Sequence, residues 1–139
     1  MIEGIAHIGI AVRSIDEARV FWEALGLRVE HVEEVPQEGV RVAMIPCGGS
    51  RIELLEPTRE DSPIASFLAR RGPGIHHLCL ASGDVAGDDR RQREAGVELL
   101  RAVPTLGAGG SRVQFVHPKS AGGVLVELAE ESAAAHDSP

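Results

Sequence analysis

Four residues of this chain have the types and spacing that a catalytic metal requires: His7, Glu53, His77 and Glu127. The two histidines stand about 70 residues apart in matching contexts, Ile5-Ala6-His7-Ile8-Gly9-Ile10-Ala11-Val12 and Ile75-His76-His77-Leu78-Cys79-Leu80-Ala81-Ser82. Each glutamate interrupts a later apolar run, Arg51-Ile52-Glu53-Leu54-Leu55 or Val124-Leu125-Val126-Glu127-Leu128. A histidine on a first strand and a glutamate on a last strand, once per half, supplies two imidazoles and two carboxylates that a pseudo-twofold axis could bring to one divalent ion. That donor set suits Mn, Co, Ni, Fe or Zn better than Ca or Mg, and two carboxylates neutralise the ion's charge. Four protein ligands on an octahedral ion leave two positions for water or a chelating substrate, which marks a catalytic site rather than a closed structural one. A bare carboxylate buried in either apolar run would carry a heavy desolvation cost, so something positive should face it. Solvated glutamates on edge strands and histidines satisfied in a core are the plainer alternative, and the recurrence in both halves argues against it.

The elements that must position these residues follow from periodicity. Residues 5 to 12 read as a strand with Ile8, Ile10 and Val12 on one face and His7, Gly9 and Ala11 on the other, so the histidine's face is kept small. Ser14-Ile15-Asp16-Glu17 has the form of a capping box, and Ile15, Ala18, Trp22 and Leu25 recur at helical spacing until Gly26. Short β-prone segments are expected at 27–32, 39–45 and 51–55, separated by Pro36-Gln37-Glu38 and Cys47-Gly48-Gly49-Ser50. Asp61-Ser62-Pro63 opens a connecting helix that ends at Gly72-Pro73-Gly74. The second half repeats the order, with strands at 75–81, 97–100, 112–116 and 124–128 and a helix at 85–95. That last helix is placed by its position in the repeat, because Asp88, Asp89, Gln92 and Arg93 leave almost no apolar stripe.

Other residues offer less defined chemistry. His76 points away from His77 on a strand and reads as a packing residue, while His31 and His136 have no supporting context. Gly107-Ala108-Gly109-Gly110 and the segment His117-Pro118-Lys119 combine pliant backbone with Arg112, His117 and the chain's one lysine, Lys119, as candidates for holding an anionic substrate. Cys47 and Cys79 have no partner motif and read as reduced thiols. A chain of 139 residues can bury one good core but not two, so the halves are expected to share one domain. Fourteen basic against 21 acidic side chains, with no basic run, argue against nucleic acid as a partner. The sequence has no apolar stretch long enough for a membrane span and no leader-like start, which makes the cytoplasm the expected compartment.

Taken together, these segments resemble the methylmalonyl-CoA epimerases of the vicinal oxygen chelate superfamily over roughly residues 2–130. The strand motifs around His7, Glu53, His77 and Glu127 are shared across that superfamily, whereas Asp61-Ser62-Pro63-Ile64-Ala65 and His117-Pro118-Lys119-Ser120 favour the epimerases. The resemblance implies an α+β fold in which two tandem β-α-β-β-β modules form a curved mixed sheet around a metal site. It implies one domain at 1–130, with module one at 2–57, a connector helix at 61–72 and module two at 74–130, then a flexible tail at 131–139. By position it makes His7, Glu53, His77 and Glu127 the ligands of a divalent metal, Co2+ first and Mn2+, Ni2+ or Zn2+ as alternatives. It further implies methylmalonyl-CoA as substrate, interconversion of its two C2 epimers, and a homodimer; Glu53 and Glu127 are expected to be metal ligands in the resting site and, with one or both leaving the metal, the proton carriers. Some members carry a glutamine in place of Glu53 and a further glutamate on the neighbouring strand, where this chain has Val42.

Three other readings stand beside this one. A glyoxalase I type isomerase (lactoylglutathione lyase) uses a similar His/Glu/His/Glu set, but its tyrosine-bearing turn before the last strand has no counterpart in a chain without tyrosine. An extradiol dioxygenase would leave Glu53 surplus. A metal-free small-molecule binding protein of the same fold would have no reason to keep all four ligand positions.

Overall fold

In the computed structural model, which describes residues 1–130, the first half runs β1 (Ile2–Ala11), α1 (Ile15–Ala24), β2 (His31–Val35), β3 (Val40–Cys47) and β4 (Ser50–Pro57). After the connecting helix α2 (Pro63–Arg71) the second half runs β5 (Gly74–Ser82), α3 (Val85–Glu94), β6 (Thr105–Leu106), β7 (Arg112–Val116) and β8 (Val126–Glu130). This is the expected α+β order, β-α-β-β-β twice. The expected tail at 131–139 and His136 lie outside the described residues. The chain divides into two units, residues 7–76 in one and residues 1–6 with the chain from His77 onward in the other, so the division falls inside β1 rather than at the repeat boundary.

In the first unit the strand order is β2-β3-β4-β1, with β1 and β4 parallel and the other neighbours antiparallel. In the second it is β5-β8-β7-β6, with β5 and β8 parallel and the rest antiparallel. β4 and β8 therefore each lie between two other strands, and the glutamates they carry are on interior strands. The edge-strand alternative for Glu53 and Glu127 is thereby removed.

Period-two alternation separates a packing face from a chemical face in the first unit. Ile45, Leu54 and Ala43 bury under α1, joined by Val12, Ile15, Ala18 and Trp22. The Ser14 side chain caps α1 by accepting from the Glu17 backbone N–H. Gly26 and Gly96, at φ 93° and 83°, follow α1 and α3 in a backbone conformation that side-chain-bearing residues rarely adopt. α2 is capped by Ser62, within the expected Asp61-Ser62-Pro63 opening, and Asp61 pairs with Arg59.

Three expected strands differ from what forms, the last of them only by a shift from 124–128 to Val126–Glu130. The segment at 27–32 enters the sheet only from His31, because Leu27 and Val29 turn into the core beneath α1. The strand expected at 97–100 is reduced to a single bridge between Leu99 and Val116. Beyond it, side chains take the backbone's hydrogen bonds: Gln114 accepts from the Arg101 N–H and donates to the Arg101 carbonyl, and Arg93 donates to the carbonyls of Arg101 and Ala102.

The same side chains explain why α3 forms without an apolar stripe. Val85 is its one buried large apolar residue, and buried Asp88 and Asp89 anchor the rest. Asp89 accepts from Arg93 at 2.8 Å and from the fully buried Gln114 amide at 2.7 Å. The Arg93 bond holds its carboxyl below the usual range, with burial opposing and Gln114 assisting. Burial pushes the Asp88 carboxyl up, but hydrogen bonds from Ser82, Arg91 and the terminal ammonium outweigh it and hold the group at about 2. A depressed folded-state pKa means the stabilisation is complete above the ordinary carboxylate value and fades as pH falls through the folded one. Asp88→Asn is therefore expected to cost about 2 kcal/mol at neutral pH, with the gap to the parent protein closing between about pH 4 and 2. Urea unfolding across that range checks this, and a gap independent of pH would contradict it.

Candidate functional site

Two pairs of buried ionisable residues occupy equivalent places in the two halves. In the first unit Glu53 lies opposite Gly9, two residues beyond His7 on the parallel neighbour strand. In the second, Glu127 lies opposite Cys79, two residues beyond His77 on the parallel neighbour strand. The repeat thus preserves a register as well as residue types. On β1 the residues that follow His7 on its face, Gly9 and Ala11, are small.

His7 and Glu53 are only 5% and 3% exposed, and His7 Nδ1 lies 3.2 Å from Glu53 Oε2. His77 and Glu127 are 7% and 9% exposed, with His77 Nε2 3.1 Å from Glu127 Oε1. The positive partner that the sequence demanded for Glu53 is in part Arg51, whose Nε donates to Glu53 Oε2 at 2.8 Å and whose Nη2 lies 3.5 Å from His7 Nδ1. Sequence reasoning passed over Arg51. The available signal was strand alternation, which puts residue i−2 on the face of residue i.

Aromatic and small residues frame the second pair. Phe115, the cross-strand partner of Glu127, meets the His77 ring edge-to-face at 6.2 Å between centroids, and the Arg101 guanidinium lies 4.8 Å over the Phe115 ring. Buried Cys79 lies on the His77 face, in keeping with a packed thiol, whereas Cys47 is exposed. A side chain at Gly107 would meet the Val113 methyl at 3.2 Å, so glycine lets the 107–110 loop approach that face closely.

The remaining candidates are placed differently. Arg112 is exposed and, by alternation from Phe115, lies on the opposite face of β7 from Glu127. His117 accepts the Lys119 backbone N–H at its Nδ1, and Lys119 Nζ stands 3.9 Å from Glu98 with its side chain largely exposed. His76 packs edge-to-face on Phe67 at 5.1 Å, the packing role expected of it, and His31 contacts Glu33 at 3.2 Å. Val42 is buried on the Glu53 face of β3, two residues from Met44, the cross-strand partner of Glu53.

Among the described residues no buried side-chain nitrogen or oxygen lacks a partner, so the case for a metal rests on donor chemistry. Each pair offers one imidazole nitrogen and one carboxylate oxygen, shielded from water, which is the mixed N/O set that borderline divalent ions prefer. The residues fit such an ion. Chemically, a shielded carboxylate beside an imidazole can also accept and return a proton.

Comparison with known proteins gives this geometry a context. The Glyoxalase/Bleomycin resistance protein/Dioxygenase superfamily pattern matches residues 6–115. The chain is 40% identical over 131 residues to the ethylmalonyl-CoA/methylmalonyl-CoA epimerase of Cereibacter sphaeroides, covering 92% of this chain and 98% of that one. The methylmalonyl-CoA epimerase of Mycobacterium tuberculosis superposes with a TM-score of 0.91 at 38% identity, covering 99% of this chain and 93% of that one. A methylmalonyl-CoA epimerase in complex with methylmalonyl-CoA and NH4+ superposes at 0.92 with 41% identity, covering 96% and 97%.

Glu53→Leu removes the buried carboxylate that the His7 imidazole and the Arg51 guanidinium both contact. In the presence of a chelator it is expected to destabilise the protein by about 2–3 kcal/mol. Denaturant unfolding measures this, and an unchanged midpoint would mean that the pairing contributes nothing.

Proposed function

Because the chain belongs to the Glyoxalase/Bleomycin resistance protein/Dioxygenase superfamily and, within it, to the family of the methylmalonyl-CoA epimerases, we propose that it interconverts the two C2 epimers of methylmalonyl-CoA with a divalent metal held by His7, Glu53, His77 and Glu127. The observation that carries this reading is the buried His–Glu pair found in each half at the same two-residue offset. Co2+ is the first candidate for the ion, with Mn2+, Ni2+ and Zn2+ as alternatives of suitable chemistry. The expected homodimer and cytoplasmic location belong to the same proposal; no helix among the described residues is long and apolar enough to cross a membrane.

When bound, the ion supplies positive charge beside the oxygens on which negative charge develops as C2 loses its proton. The protein's own groups do the proton chemistry. One carboxylate takes the C2 proton from one face while the C–H electron pair moves into the adjacent thioester carbonyl. A carboxyl group on the opposite face then returns a proton to C2, and exchange with water resets the two groups, so no oxidant or reductant is consumed. Glu53 and Glu127 are the residues proposed for these roles. Val42 carries no ionisable group, so the neighbouring-strand glutamate of some relatives has no substitute at that position.

Proton NMR of methylmalonyl-CoA in deuterated water tests the reading, with protein stripped of metal and then reloaded with cobalt or manganese. Loss of the C2 proton signal that depends on the metal is expected; exchange at the spontaneous rate despite bound metal would defeat the proposal and turn attention to the methylglyoxal–glutathione hemithioacetal. Glu127→Gln is expected to slow exchange at least about 100-fold. For Glu53→Gln a similar loss is expected, and near-normal turnover with full metal occupancy would remove Glu53 from the proton path.

A further inference from the structure

Arg51 is a charge that the ligand set does not call for. It is the cross-strand partner of His7 and stands two residues before Glu53, so strand alternation puts it on the face of both. Its Nε is bonded to Glu53 Oε2 at 2.8 Å, and about a quarter of its side chain, 27%, is exposed to solvent. The duplication does not repeat it. Two residues before Glu127 stands Leu125, which has neither charge nor donor.

Beside a divalent ion, the Arg51 guanidinium bonded to Glu53 is a further positive charge on the face of the first His–Glu pair. A cation held beside a cation in a shielded place is unfavourable unless another anion arrives. The substrate of the proposed reaction brings one: the free carboxylate that distinguishes a malonyl-type thioester from a plain acyl thioester. A guanidinium presents its Nη groups as a planar fork that matches two carboxylate oxygens, and its partial exposure puts it where an incoming ligand meets it.

We propose that Arg51 is a specificity-determining residue that exchanges its pairing with Glu53 for the free carboxylate of the substrate, so that the site selects carboxyl-bearing acyl thioesters over acyl thioesters without that group. The inference rests on the epimerase reading and extends it to substrate choice. It assigns the extra charge of module one to the ligand, whereas the repeated His–Glu pairs serve the metal.

Calorimetric titration of the cobalt-loaded protein with methylmalonyl-CoA and with propionyl-CoA, alongside elemental analysis for bound metal, tests the assignment. The parent protein should prefer methylmalonyl-CoA. Arg51→Met should weaken methylmalonyl-CoA binding about 10- to 100-fold, as expected for losing a charge-assisted pair, and leave propionyl-CoA within about twofold. Arg51→Lys, which keeps the charge but not the fork, should fall between. Equal weakening of both ligands, or undiminished discrimination in Arg51→Met, overturns the assignment while leaving the epimerase reading intact. A parent protein that does not discriminate between the two ligands overturns both. If Arg51→Met fails to retain cobalt, Arg51→Lys decides: discrimination equal to that of the parent overturns the proposal.

Discussion

The arrangement of this protein turns on a carboxylate placed on an interior strand. Glu53 and Glu127 each sit on a strand flanked by two others and are almost wholly withdrawn from water. An ionised carboxylate there is costly unless a proton, a cation or a strong donor compensates it. In each half the compensation begins with a histidine from the parallel neighbour strand, two residues out of register with the glutamate. That diagonal offset brings a strand-borne imidazole alongside a strand-borne carboxylate without opening either ladder. Small residues beside the histidine and an apolar face on the other side of the strand follow from the same requirement.

The two halves share this device and differ in what surrounds it. Module one adds Arg51 to its pair and packs a conventional apolar helix, α1, against the far side of its sheet. Module two frames its pair with Phe115 and Cys79. Its helix α3 is held by buried aspartates bonded to Ser82, Arg91, Arg93 and Gln114. A duplicated scaffold has thus kept the chemistry of one diagonal pair while one copy exchanged apolar helix packing for a polar network. Asp88 and Asp89 in that network are held below the usual carboxylate range, so it weakens as acid protonates them.

How far the sequence could be read depended on where the relevant interaction lay along the chain. Strand alternation around His7 and Glu53, the Ser14 cap and the repeat offset are local patterns, and each matched an element. The strand expected at 97–100 shrinks to one bridge: Leu100 and Glu98 still bond to the Phe115 and His117 backbone, but past Leu100 the Arg101 and Ala102 backbone groups are taken by the Arg93 and Gln114 side chains, a contact no local pattern records. α3 was placed by the repeat alone, since its anchors are side-chain hydrogen bonds that no hydrophobic period records. Arg51 escaped notice because beside an apolar run it reads as a strand-end charge until register fixes its face.

What the sequence by itself determined is the duplicated β-α-β-β-β order, the family, and the identity of the two His–Glu pairs, because residue type and short-range periodicity are written directly in the chain. What only the tertiary structure decided is that β4 and β8 are interior strands, that each glutamate lies two residues diagonal to its histidine, and that Arg51 shares that face while Arg112 lies on the far one from Glu127. Register and strand order arise from hydrogen bonds between segments far apart in sequence. A shift of one residue would reverse every side chain's face without altering a single local pattern.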